Sequence, residues 1–216
     1  MGSPNTLVRE LADLLLPRFC VGCSAPDSLW CPGCAARANP VARATAVQDL
    51  PILSAVEYEG PVAAAMNAYK DRGVTALYPV LAQWLLTALT DVPERPFVLC
   101  PVPQTPRHRL RRGPSPLSMV CLRAAAQLAP ACRGVRPLLR RSLFSQPQRG
   151  GTRARRRAAA GLIRVATTAT EPVVLVDDVV TSGTSLRGAH DVLCAAGVEV
   201  HAVIALALAA DRERAG

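Results

Sequence analysis

Aromatic residues are scarce in this 216-residue chain: three Phe, three Tyr and two Trp. Proteins that hold single-stranded nucleic acid stack bases on such rings, so few platforms are on offer. Lysine is nearly missing, with Lys70 alone against twenty-four arginines. Together with the high Ala and Pro content, that imbalance reads as a GC-rich genome rather than a demand for guanidinium chemistry. No apolar run approaches the roughly 18 residues of a membrane span; the longest, residues 203–210, reads as a final core strand. The first residues lack a secretory pattern, because Arg9, Glu10 and Asp13 interrupt them. Leu7, Leu11, Leu14 and Leu15 instead fall on one face of a short amphipathic helix that Pro17 ends. A cytoplasmic protein is expected.

Acidic residues are also absent, but only locally. From residue 95 to residue 170 there are sixteen arginines and no carboxylate, while the remainder holds nine basic and sixteen acidic residues. The formal net charge of +9 therefore comes wholly from the middle of the chain. A block of that kind must face something anionic or it repels itself.

Where the acids do occur, they form patterns. Residues 173–176 (Val-Val-Leu-Val) read as a buried parallel strand, since four consecutive apolar residues cannot alternate faces. Two carboxylates end that strand, Asp177 and Asp178, followed by Thr181, Ser182, Gly183, Thr184 and Ser185 and then a helical pattern through Leu186, Ala189, Val192 and Leu193. Strand, hydroxyl-rich loop and helix make a phosphate cradle: backbone N–H groups and the helix N-terminus face the anion, and Gly183 permits close approach. The carboxylates one step earlier suit neighbouring hydroxyls of a sugar. A phosphate grip beside a diol grip describes a ribose 5-phosphate site. The plainer alternative is a strand end followed by a Ser/Thr helix cap.

The cysteines divide into two groups. Cys20, Cys23, Cys31 and Cys34 form C-x2-C-x7-C-x2-C, two knuckles that can offer four thiolates to one tetrahedral Zn²⁺. Disulfides or a redox pair are the alternatives; a reducing compartment disfavours the first, and two knuckles this close serve one metal better than two active sites. With four thiolates bound there is no open position, so the role is structural. Cys100, Cys121, Cys132 and Cys194 lie in apolar contexts and read as buried small hydrophobes.

Further along, residues 39–49 read as a connector, 51–59 as a strand, and a helix starting at Gly60-Pro61 reaches about Tyr69. A second helix covers 74–90, a strand 97–102, an Arg-rich loop 103–116 and a helix 117–128. A short strand around 135–139, a second basic loop at 140–157, strands at 162–165 and 200–206, and a helix at 184–196 complete the reading. Strands alternating with helices predict an α/β fold with a parallel sheet, in which ligands bind at the carboxyl ends of strands. Two units are expected: residues 1–45, the amphipathic helix and the four-cysteine zinc-binding module, and residues 46–216, the α/β domain.

Asp177-Asp178-Val-Val-Thr-Ser-Gly-Thr-Ser185 resembles the phosphoribosyl pyrophosphate (PRPP) signature of type I phosphoribosyltransferases. With the cysteine knuckles in front, the whole chain resembles the ComF family. Tyr58-Glu59-Gly60-Pro61 with Lys70, Val102-Pro103 with Arg107, Arg109, Arg111, Arg112 and Gly113, and Ser145-Gln146-Pro147-Gln148 with the cluster from Arg153 to Arg157 carry the match. The sequence departs from that family where Gly113 is followed by Pro114, Ser115 and Pro116, and where Ala158 stands near an expected asparagine.

The resemblance implies a type I phosphoribosyltransferase fold, PRPP and Mg²⁺ as ligands, and transfer of a phosphoribosyl group to an acceptor the sequence does not name. Asp177 and Asp178 would hold the ribose hydroxyls and help orient Mg²⁺. Thr181, Ser182, Gly183, Thr184 and Ser185 would take the 5-phosphate. Arg107 and Arg109 would meet pyrophosphate, with Lys70 reaching the same anion unless it stays solvated. A mobile loop with Gln146, Arg153 and Arg155 would close over the site. The alternative is a non-catalytic protein binding PRPP or single-stranded DNA, since the resemblance implies a link to DNA uptake and recombination. Trp30 is its one stacking candidate, with packing against the metal loops the other use for that ring.

Overall fold

Residues 173–176 read as buried on both sides, and the molecule shows why: their strand lies near the middle of a six-stranded sheet. A computed structural model describes residues 19–47, 49–92, 95–104, 115–141 and 163–209. After a cysteine-bearing loop come helix α1 (Pro32–Ala38), strands β1 (Arg43–Val47) and β2 (Leu50–Glu57), helix α2 (Gly60–Lys70), and helix α3 (Tyr78–Leu89) with a 3₁₀ turn before it. Strand β3 (Phe97–Pro101), helix α4 (Pro116–Ala125) and strands β4 (Cys132–Val135), β5 (Leu139–Arg141) and β6 (Ile163–Val165) follow. Strand β7 (Val173–Val180), helix α5 (Thr184–Ala195) and strand β8 (Val200–Leu208) close the described chain.

The main sheet has the order β1-β2-β8-β7-β3-β4 and is parallel except for the antiparallel edge strand β1. From its centre, β3 leads through α4 outward to β4, whereas β7 leads through α5 the opposite way to β8. The two crossovers also take opposite faces. Leu99, Val174 and Val176 pack with α2, α3 and α4 in one core, while Val98, Cys100 and Leu175 pack with Leu186, Ala189 and Leu193 of α5 in the other. The sheet is thus covered twice, which is what its near-continuous apolar strands require. The point between β3 and β7 where the chain changes direction is where open α/β sheets leave a crevice.

Several expectations are corrected. The strand does not end at the carboxylates: β7 runs through Asp177 and Asp178 to Val180, because β8 continues to pair with it as far as Leu208. The supposed connector at 39–49 contains β1, held by pairing with β2 rather than by its own weak apolar pattern. The strand expected around 135–139 is two strands, β4 on the main sheet and β5 off it. β5 pairs with β6 in a separate antiparallel ribbon. The second basic loop expected at 140–157 begins inside β5 with Arg140 and Arg141; its residues 142–157 lie outside the described residues, and the ribbon joins the two flanks. The amphipathic helix expected over 1–17 also lies outside them. Among the described residues no helix is long and apolar enough to cross a membrane.

Candidate functional site

Two sites emerge. The first is the cysteine cluster. Ligand atoms of Cys20, Cys23, Cys31 and Cys34 all lie within 4.8 Å of one another, with Sγ–Sγ separations of 3.7 Å for Cys20–Cys34 and 3.5 Å for Cys23–Cys31. Four thiolates about 2.3 Å from a tetrahedral Zn²⁺ sit about 3.8 Å apart, so the cluster has the size that ion needs. Local folding builds it. Cys31 is the N-cap of α1 and its sulfur accepts the Cys34 N–H, while the Cys31 N–H points at Cys20 Sγ. Burial works against ionisation of Cys20, but N–H groups of Cys31, Gly22 and Cys23 outweigh it and bring the thiol down to about 6. Cys34, buried among the other sulfurs, is pushed up. Four thiols this close cannot all ionise without a cation between them, so the donor set fits a metal such as zinc.

The cluster is seated on the α/β body. Trp30 meets Trp84 of α3 edge to face at 5.8 Å, and Val21, Leu29 and Ala38 join the same core as α2 and α3. Gly22 sits at the joint: a Cβ there would lie 2.8 Å from Cys34 Sγ and 2.9 Å from Pro61 Cβ. No side chain fits.

The second site is a cleft of about 280 Å³ at the carboxyl ends of β3 and β7. It is lined by Asp177 and Asp178, by the whole turn from Thr181 to Ser185, and by Lys70, Gln104 and Arg141. The phosphate-cradle and carboxylate residues singled out in the sequence are therefore brought together. Lys70 joins them, and it is not a solvated helix end: its Nζ donates to Asp178 Oδ1 at 2.9 Å. Gln104 Nε2 donates to Oδ2 of the same carboxylate at 2.7 Å, and the Val179 N–H takes Oδ1. Asp178 is almost fully buried and paired with Lys70, while the half-buried Asp177 has no ion-pair partner among the described residues and accepts the Asp178 N–H. Burial and the neighbouring carboxylate push Asp177 up to about 8. The pair thus favours a single negative charge near neutrality.

The turn from 181 to 185 enters α5 through Gly183 in the left-handed conformation (φ 67°), so the N-cap position carries no side chain. The turn and the start of the helix line the cleft, and a helix N-terminus favours an anion there. The missing Cβ of Gly183 also leaves room for Val47 of β1, whose Cγ1 would lie 2.5 Å away.

Arg107 and Arg109, and the loop residues Gln146, Arg153 and Arg155, lie outside the described residues. Sequence reasoning missed Tyr69, Gln104 and Arg141 as cleft residues. Gln104 follows the Val102-Pro103 segment and Arg141 opens the second basic loop, so position near a motif was the available signal; Tyr69 carried none beyond its neighbour Lys70. Of the residues that depart from the ComF pattern, Ser115 and Pro116 start a helix: Ser115 Oγ accepts the Ser118 N–H at 3.1 Å, and Pro116 occupies the first turn and lines the cleft.

Cys194 is corrected: it is exposed, beside His190 on α5, whereas Cys100, Cys121 and Cys132 are buried as expected. In Cys100 burial pushes the thiol up to about 11, consistent with an inert core residue. No model of a known protein family matches the chain, and no curated protein does either.

Proposed function

We propose that the chain is a ComF-like member of the phosphoribosyltransferase class that binds PRPP with Mg²⁺ and transfers the phosphoribosyl group to an acceptor. One observation carries this reading. Asp177, Asp178 and the complete turn from 181 to 185 line one cleft, at the point where the sheet changes direction. A helix N-terminus suits a phosphate monoester, and adjacent carboxylates suit the hydroxyls of a pentose.

Transfer from PRPP passes through a cationic sugar centre and releases pyrophosphate, so orientation and charge neutralisation matter more than a strong base. In this reading the turn holds the 5-phosphate, and Asp178, fixed by Lys70 and Gln104, orients the ring. Mg²⁺, bound through one or two carboxylates and substrate oxygens, would neutralise pyrophosphate. Asp177 loses its proton to take part, and with Lys70 hydrogen-bonded to Asp178 it is the freer oxygen donor of the two. Arg141 adds positive charge at the cleft edge. Trp30, the stacking candidate of the single-strand reading, is half-buried and meets Trp84 edge to face.

Calorimetric titration with Mg-PRPP, followed by ³¹P NMR on the same sample, tests the proposal. Binding that Asp177→Asn with Asp178→Asn abolishes, and slow pyrophosphate release, are expected. Absence of binding would leave the signature as scaffold alone.

A further inference from the structure

Tyr69, at the end of α2, is 1 % exposed and lines the cleft, yet its hydroxyl finds no hydrogen-bond partner among the described residues. The large majority of buried hydroxyls are paired, and leaving one unpaired costs as much as losing the bond. Burial and the nearby Asp178 carboxylate both favour the neutral phenol, so this group stays a donor. Gln104 lies alongside and gives its Nε2 to Asp178 Oδ2, and no hydrogen bond of normal geometry joins it to the phenol.

Next to this idle donor stands an acceptor with room to spare. A carboxylate offers about four lone-pair directions. Asp178 has three in use: Lys70 and the Val179 N–H on Oδ1, and Gln104 on Oδ2. A group that must accept from a phenol while donating to a carboxylate has to carry both a lone pair and a proton. A bare anion would be repelled by Asp178, and a cation would have nothing for the phenol. A hydroxyl satisfies both.

We propose that Tyr69 and Asp178 together read one hydroxyl of a pentose phosphate, which makes Tyr69 a specificity residue selecting ribose over its deoxy analogues. The inference rests on the pentose-phosphate reading of the cleft and adds to it a residue outside the signature. Sites built to hydrogen-bond a hydroxyl reject ligands lacking it, because the pocket's own polar groups are then stranded.

The test compares wild type with Tyr69→Phe, using ribose 5-phosphate, its 2-deoxy and 3-deoxy analogues, and Mg-PRPP as probes in calorimetry. Wild type is expected to bind ribose 5-phosphate about tenfold or more tighter than one of the deoxy analogues. Tyr69→Phe should remove most of that preference while leaving the melting temperature of the free protein equal or higher, since the lost hydroxyl had no partner. Equal binding of all three sugars by wild type overturns the inference, as does a preference that survives in Tyr69→Phe. A clear fall in melting temperature overturns it too, because the hydroxyl would then be serving the fold. Tyr69-dependent discrimination of the sugars without Mg-PRPP binding would sink the transferase reading and leave the inference standing. Failure of wild type to bind any of the probes removes both.

Discussion

The cysteine cluster and the cleft are built on opposite plans. In the first, four identical soft donors from one short stretch converge on a single point, and α1 supplies N–H groups that hold the sulfurs in place. In the second, chemically different groups come from the ends of α2, β3 and β5, from β7, and from the start of α5. The Lys70–Asp178 contact alone joins residues 108 positions apart. A closed site made of like charges is unstable until a cation fills it, whereas the cleft already holds its own counter-ion. Lys70 keeps Asp178 balanced while Asp177 stays protonated near neutrality. The first site should therefore depend on its ligand for folding, and the second should fold empty.

The largest effect expected from this contrast is that of metal removal. Purified protein should carry one zinc per chain by elemental analysis. Chelation, or Cys20→Ser with Cys34→Ser, should lower the melting temperature by more than about 10 °C, because binding and folding of such a cluster are linked. Protein lacking stoichiometric metal yet equally stable would erase the contrast.

Next comes Lys70→Met. It leaves the nearly buried Asp178 without a cation, and breaking one side of such a pair costs up to about 3–5 kcal/mol. Lys70 is one-third exposed, so a loss of ~1–2 kcal/mol in urea unfolding is expected. Asp178→Asn added to Lys70→Met should recover most of it, and failure to recover would mean the two charges are not coupled.

Gly183→Ala should cost about 1–3 kcal/mol, from the left-handed backbone and the contact with Val47. Val47→Ala in the same chain should return only part, because it relieves the clash and not the φ angle. Full recovery would show that the backbone carries no strain.

A last effect, one of pH, concerns Asp177. Its folded-state value is raised above that of an unfolded Asp, so the native state binds the extra proton between about pH 4 and 8. Stability from this group is complete below about pH 4 and is lost as pH rises through about 8. Asp177→Asn should match wild type at pH 4 and grow progressively more stable than it as pH rises toward 8 in denaturant titrations. A constant difference across that range would show that Asp177 does not titrate as described.

What the sequence disclosed follows the same contrast. The C-x2-C-x7-C-x2-C spacing and the run from Asp177 to Ser185 are local, and each arrives in space as it stands in the chain. Apolar periodicity likewise placed α2, α3, α4 and α5, because each helix needs one buried stripe. The misses share a cause in pairing over distance. β1 (Arg43–Val47) has exposed or half-buried residues throughout and exists because β2 offers it hydrogen bonds. Asp177 and Asp178 belong to β7 because β8 runs alongside. Gln104 and Tyr69 reach the cleft through the ends of β3 and α2, and only their places beside Val102-Pro103 and Lys70 mark them.

Gly22 has a consequence for how this protein can change over time. Its α-hydrogen occupies the gap between a cysteine sulfur and the first turn of α2, and that same helix ends at Tyr69 and Lys70 in the cleft. A side chain acquired at position 22 would have to be absorbed on both flanks at once. The two flanks therefore cannot drift independently: a graft of another cysteine loop onto this body succeeds only if it brings an equally bare position to the same joint.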